Sequence, residues 1–158
     1  MDCIYLNKPA RKWDEGLPIG NGRLGAMVMG KPNEETIFVN EESLWFGPMR
    51  NRVNPYSREQ IPVIRQLLLD GEVEKAAFLA KMSMTGTPKY NNPFQPAGDL
   101  RLCFMNHRGK AEDYRRILDL DTAVARVSYS MDGYVYEREH LVSVKYNVLA
   151  IRITGSHP

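Results

Sequence analysis

Only two cysteines, Cys3 and Cys103, occur in the 158 residues, far apart and without a partner at metal-ligand spacing. Such a pair makes neither a disulfide framework nor a zinc site. Histidine is as sparse: His107, His140 and His157 stand alone, and no serine sits in a nucleophile elbow. Nothing here patterns a metal centre or a nucleophilic triad. Charge of one sign is missing too. A net charge of +2 supplies no field for nucleic acid or an acidic membrane surface. No run approaches the roughly 18 consecutive apolar residues of a membrane span. Met1-Asp2-Cys3-Ile4-Tyr5 has neither the basic nor the apolar region of a secretory leader. Taken as given, the chain is expected to be cytoplasmic, although a secreted parent trimmed of its leader would read the same way. No metal, cofactor, nucleic acid or membrane partner is expected.

What is present is ordinary for a globular domain: 43% hydrophobic and 25% charged residues, in a chain long enough to bury a core. The mixed charges of Lys8, Arg11, Lys12, Asp14 and Glu15, and of Arg115, Arg116, Asp119 and Asp121, predict solvated surface. The most informative stretch is Leu17 to Gly30, with glycines at 20, 22, 25 and 30. It contains G-x-G-x-x-G, the spacing of a dinucleotide fingerprint. That fingerprint needs a strand before the glycines and a helix after them, to place a helix N-terminus on the pyrophosphate. Pro18 cannot donate to a central ladder, and Gly30-Lys31-Pro32-Asn33 arrives too soon for a helix. A tight turn feeding a closely approached strand is the better reading.

Most of the remainder reads as antiparallel strands. Thr36 to Asn40 is β-branched and aromatic, and Leu100, Leu102 and Phe104 alternate with Arg101, Cys103 and Met105. Ala123, Ala125, Val127, Tyr129 and Met131 share a face opposite Arg126, Ser128 and Ser130. Asp132-Gly133 then turns the chain into Tyr134 to His140, and Asp-Gly between two such runs marks a hairpin. Leu149, Ile151 and Ile153 give one more strand. A two-helix insertion is expected over about residues 58–84. Ile61, Ile64, Leu67 and Leu68 form the first stripe, with Ser57 and Gln60 as a capping box and Pro62 blurring the start. Gly71 breaks it, and Val73, Ala76, Ala77, Ala80 and Met84 restart it. Thr85 to Pro96 is a proline-punctuated loop carrying Tyr90 and Phe94.

Carboxylate pairs occur at Glu34/Glu35, Glu41/Glu42 and Asp119/Asp121. Neighbours on an extended strand face opposite ways, so Glu41 and Glu42 would not cooperate if extended. No spacing selects a general acid and a base. Trp45 and Phe46, after Asn40-Glu41-Glu42-Ser43 and before Gly47-Pro48, could form an aromatic platform rimmed by polar groups that suits a pyranose. Packing of Trp45 against a sheet edge explains the same residues more simply, and Trp13 among its charges reads as structural.

One collinear set of motifs is more specific. Trp13, then Leu17 to Gly30, Val39-Asn40-Glu41-Glu42-Ser43-Leu44-Trp45-Phe46-Gly47-Pro48, Asn54-Pro55, Ile64 to Leu68, Tyr90-Asn91 through Leu100 and Tyr114 to Ala123 resembles the N-terminal domain of family 95 glycoside hydrolases, the α-L-fucosidase family. Glu42-Ser43 stands where that family usually has Asp-Thr, and Phe46 where it usually has Ser. The resemblance implies an antiparallel two-sheet β-sandwich over residues 1–154, with 155–158 opening a linker. It also implies inverting, metal-free hydrolysis of α-L-fucosyl linkages by full-length members, whose acid and base lie in a downstream (α/α)6 barrel. No catalytic residue is therefore assigned to this chain. Asn21, Arg23, Asn40, Glu41 and Trp45 are the candidates for facing a substrate or that barrel. The expected partners are the barrel and a fucosylated glycan, with self-association through the barrel-facing surface. The alternative is a freestanding carbohydrate-binding sandwich using Trp45, Tyr90 and Phe94.

Overall fold

The computed structural model describes residues 2–105, 107 and 109–156. His157 and Pro158, hence part of the expected linker, lie outside the described residues. Among the described residues nine strands and two α-helices follow one another: β1 (Cys3–Leu6), β2 (Leu17–Gly20), β3 (Leu24–Val28), β4 (Glu34–Glu41), α1 (Ser57–Leu69), α2 (Val73–Ser83), β5 (Gly98–Cys103), β6 (Glu112–Asp119), β7 (Val124–Met131), β8 (Tyr134–Ser143) and β9 (Val148–Gly155). Every pairing is antiparallel, in a five-stranded sheet β1-β6-β7-β8-β9 and a four-stranded sheet β2-β3-β4-β5. The mainly β, two-sheet architecture with two helices is that expected. The chain divides into two compact units, residues 1–44 with 95–158, and residues 45–94.

In the first unit the sheets share one core. Alternation along β7 buries Ala125, Val127, Tyr129 and Met131, while β2, β3 and β4 contribute Leu17, Ile19, Ala26, Val28 and Ile37. Burying a side chain of this size is worth about 1.5–3 kcal/mol. Asp132 and Gly133 both take positive φ, 53° and 81°, and Met131 pairs with Tyr134, so the hairpin turns in two residues. Pro18 lies in β2, an edge strand, where its missing N–H costs no ladder bond.

Several expectations are corrected. Ala123 lies in the β6–β7 turn with φ 56°, outside the face it was assigned to. Phe104 falls beyond the end of β5. A strand over Cys3–Leu6 carries no clear alternation and is located only by its pairing with β6. The close approach expected along the glycine run is met at Gly30, where a Cβ would come within 2.6 Å of the Tyr114 hydroxyl, and not at Gly22, which faces open space.

In the second unit α1 and α2 pack as a hairpin. A Schellman motif ends α1: the Glu72 N–H donates to Leu67 O at 2.8 Å and the Gly71 N–H to Leu68 O at 3.2 Å, with Gly71 at φ 77°. Ser57 forms no capping box. It is already the first helical residue, and its hydroxyl donates to Ser83 O at 2.6 Å. Pro62 sits inside α1, removing one intrahelical bond. The packed stripe of α2 is Ala76, Leu79, Ala80 and Ser83, whereas Val73, Ala77 and Met84 are exposed. The stripe is rotated because polar Ser83 is buried: its hydroxyl back-bonds to Leu79 O at 2.6 Å, and its carbonyl takes the Ser57 hydroxyl.

Candidate functional site

Four of the five residues singled out from the sequence meet at one end of the four-stranded sheet. The β2–β3 turn holds Asn21 and Arg23, and β4 ends with Asn40 and Glu41. Asn21 Oδ1 accepts the N–H groups of Arg23 and Leu24 at 2.9 and 2.8 Å, fixing its own turn. Its amide donates to Ser143 O and Asn147 Oδ1, which ties this turn to the β8–β9 turn. Arg23 reaches Glu41 at 3.9 Å and Glu42 at 3.4 Å. The two carboxylates gather around Arg23 because the pair is not extended throughout: β4 stops at Glu41 and Glu42 belongs to the turn. Ser43 donates through its N–H and hydroxyl to Glu41, and these bonds, with Arg23 nearby, hold the Glu41 carboxyl below the usual carboxylate range. A carboxylate so held is an ionised acceptor, ill suited to donating a proton as a general acid.

Beside this cluster the outer face of the same sheet is apolar and nearly bare. Pro18, Met27 and Phe38 lie in one cross-strand row, and Gly20, Gly25 and Asn40 in the next. Trp13, Pro18, Gly25, Met27, Phe38 and Asn40 line a groove of about 200 Å³. Gly25 leaves part of the floor without a side chain, and a half-exposed tryptophan forms a wall. Trp13, expected to be structural, therefore belongs to an accessible surface. Trp45, the fifth candidate, is in the second unit, bridged in antiparallel fashion to Phe94 with ring centroids 5.3 Å apart in an edge-to-face contact. Tyr90, in the same unit, is 79% exposed.

A second concavity, about 570 Å³, is lined by none of these candidates. Its polar groups serve the fold: Arg116 donates to Lys8 O and Glu15 O, and the Glu15 carboxylate accepts the Arg11 N–H, which lowers its pKa.

The core itself holds a charged cluster that the sequence reading missed. Glu35 and Arg138 are fully buried with Nη2 and Oε2 3.5 Å apart. Arg138 also donates to Lys31 O and lies over the rings of Phe104 and Tyr129. Burial raises the Glu35 pKa against the pull of Arg138, and burial lowers that of His140 to about 4. His140 Nδ1 is 3.2 Å from Ala125 O, so the neutral ring donates there. Arg116 and Asp119, expected on a solvated surface, are buried as well. The one available signal is period two: Arg138 and His140 lie in step with Tyr136 and Val142 along β8. Among the described residues no group of three or more His, Cys, Asp or Glu could hold a metal ion, and no helix is long and apolar enough to cross a membrane. His157 lies outside the described residues.

The first unit is thus a two-sheet antiparallel sandwich with an aromatic-walled groove on one outer face. Residues 4–158 match the model of the glycosyl hydrolase family 65 N-terminal domain, and the chain belongs to that family. Among curated relatives, α-L-fucosidase 2 of Arabidopsis thaliana is 36% identical over 157 residues, covering 98% of this chain and 18% of the relative. Probable α-fucosidase A of Aspergillus niger is 30% identical over 88% of this chain and 18% of its own length. Its namesake in Aspergillus oryzae is 30% identical over 98% and 22%. The chain thus spans about a fifth of the length of these relatives.

Proposed function

We propose that this chain is the non-catalytic N-terminal domain of an α-L-fucosidase-like, inverting glycoside hydrolase of the family 95 kind. Its role is to support an (α/α)6 catalytic barrel and to line part of the substrate cleft. The observation that carries this reading is the coverage: nearly the whole chain aligns with about a fifth of three fucosidases. The groove walled by Trp13 and Phe38, with Asn40 beside it and Asn21, Arg23 and Glu41 at the sheet end, suits contact with a barrel loop or a sugar ring. On this reading residues 1–154 are the domain and 155–158 begin the linker.

The test is to express the downstream barrel without residues 1–158 and assay a chromogenic α-L-fucoside with and without the chain added. The chain alone should give no turnover, and the barrel should gain activity or thermal stability when the chain is supplied. Hydrolysis by the purified chain, or a barrel indifferent to it, would overturn the proposal.

A second reading rests on Trp45, Phe94 and exposed Tyr90: a freestanding glycan-binding module. Calorimetric titration with fucosylated oligosaccharides should then give binding near millimolar or tighter, about 4 kcal/mol, lost in Trp45→Ala. Absence of heat with every glycan removes this reading.

A further inference from the structure

Only one asparagine in the chain stands before a glycine: Asn21, before Gly22. Both lie in the β2–β3 turn, and their surroundings favour a reaction within the backbone itself. An asparagine side chain is thermally labile, most of all where the next backbone nitrogen can reach its Cγ. A Cβ on that next residue hinders the approach, and Gly22 has none. Gly22 is exposed at φ 91°, with nothing within 4 Å of the place a Cβ would take. Its N–H enters neither the β2–β3 ladder nor any turn bond among the described residues. No hydrogen bond there has to break before the nitrogen attacks.

The group under attack is also held in place. Asn21 Oδ1 accepts the N–H groups of Arg23 and Leu24 at 2.9 and 2.8 Å. Attack at Cγ puts negative charge on that same oxygen, so two donors already aimed at it act as an oxyanion hole. The amide nitrogen donates its hydrogens to Ser143 O and Asn147 Oδ1. Once Cγ becomes tetrahedral, the nitrogen lone pair is therefore open to a proton from water.

We propose that Asn21 is a site of spontaneous deamidation, and that its product unlatches the β2–β3 turn from the β8–β9 turn. Gly22 N gives its proton to base in solvent and bonds to Asn21 Cγ. The Cγ–Nδ2 bond then breaks, and the nitrogen leaves as ammonia with a proton from water, closing a succinimide ring. Water reopens the ring. Addition at Cγ yields aspartate, whereas addition at the main-chain carbonyl yields isoaspartate, with the backbone rerouted through the side chain. The net change is one water taken up and one ammonia lost. Because the attack runs within a single turn, it needs no partner and does not depend on the fucosidase reading.

Either product replaces an amide donor by a carboxylate, which accepts but cannot donate. It therefore loses the bonds to Ser143 O and Asn147 Oδ1 and is repelled by both oxygens. Ser143 O also accepts the Asn147 N–H, the bond that closes the β8–β9 turn. The new charge joins a sheet end where Arg23 already faces Glu41 and Glu42. The reaction thus rewires this polar cluster as the protein ages.

The test is to hold the folded chain in mildly alkaline heavy-oxygen water and digest samples with trypsin over time. Cleavage after Lys12 and Arg23 isolates Asn21 in the peptide Trp13–Arg23. That peptide should gain aspartate and isoaspartate, both carrying heavy oxygen, ahead of every other asparagine. Gly22→Ala, whose added methyl meets no atom, should slow the change severalfold. Hydrogen exchange at the Asn147 amide should quicken in the aged chain and in Asn21→Asp alike. An Asn21 that stays intact while other asparagines react, or that reacts only in urea, would overturn the site. A rate unmoved by Gly22→Ala would overturn the attack by Gly22 N. Unchanged exchange at Asn147 in both the aged chain and Asn21→Asp would overturn the unlatching.

Discussion

The two compact units of this chain are held together by different means. The sandwich, residues 1–44 and 95–158, buries a continuous cluster drawn from both sheets, with a charged pair inside it. The unit of residues 45–94 buries only Asn54, Ala76 and Ser83 among its described residues, and its hairpin rests on caps and backbone bonds. Phe78, Leu69 and Met82 lie exposed on its helices. Long-range burial makes the first unit cooperative. The second unit depends on local bonds, which open at lower free energy. A mutation should therefore cost much or little according to the unit it strikes, even when the local chemistry is the same.

The sharpest test is the buried pair. Arg138→Ala leaves Glu35 charged and alone in the core, and should cost about 3–5 kcal/mol in urea unfolding. A double replacement, Glu35→Leu with Arg138→Met, should recover most of that loss. If both variants were equally unstable, packing around Arg138 and not its charge would govern the sandwich.

Glycine provides a matched pair. Gly30 and Gly71 share φ 77°. Alanine at 30 would meet Arg116 and Tyr114 side-chain atoms, whereas alanine at 71 meets nothing. Gly30→Ala should lower stability by about 3 kcal/mol, combining backbone strain with overpacking. Gly71→Ala should cost about 1 kcal/mol, read as faster amide exchange over α1 and α2 with the melting of the sandwich unchanged. Equal global losses would mean that the two units unfold as one.

Acid should act on the sandwich through His140. Its pKa is about 4 when folded against 6.5 when free, so below pH 6.5 the unfolded chain takes up the proton first. Stability from this group is complete above pH 6.5, falls as pH drops towards 4, and is lost below, a change of about 3 kcal/mol. Glu35, raised by burial, has the opposite sign: it favours the folded chain at low pH and loses that advantage as pH rises through its folded value. The comparison of wild type with His140→Gln isolates the histidine, and unfolding profiles parallel from pH 7 to 4 would refute it. Smallest of all, Phe78→Ser on α2 should change stability by less than about 0.5 kcal/mol, as for other exposed positions. A large loss there would mean the helix face is covered in solution.

Much of the architecture was legible beforehand because its signals are local. Asp132-Gly133 can supply two positive φ values in a row, Pro18 restricts β2 to an edge, and period two along Val124–Met131 writes an inward face into the sequence. Asn21, Arg23, Asn40 and Glu41 were likewise findable as polar residues around a glycine turn. Their meeting was not, since it depends on where β4 stops and on which turn Arg23 crosses. Strand β1 escaped notice because four residues carry too little periodicity to mark it.

By itself, then, the sequence determined the class of fold and the position of its tight turns, because backbone preference and alternation act over a few residues. Which charges go inside was decided only in the tertiary structure. Arg138 and His140 look like solvent-facing residues until β8 lies between β7 and β9 with β4 across the core. The cost of burying a charge depends on a partner more than a hundred residues away, Glu35 for Arg138, and no local pattern encodes that partner.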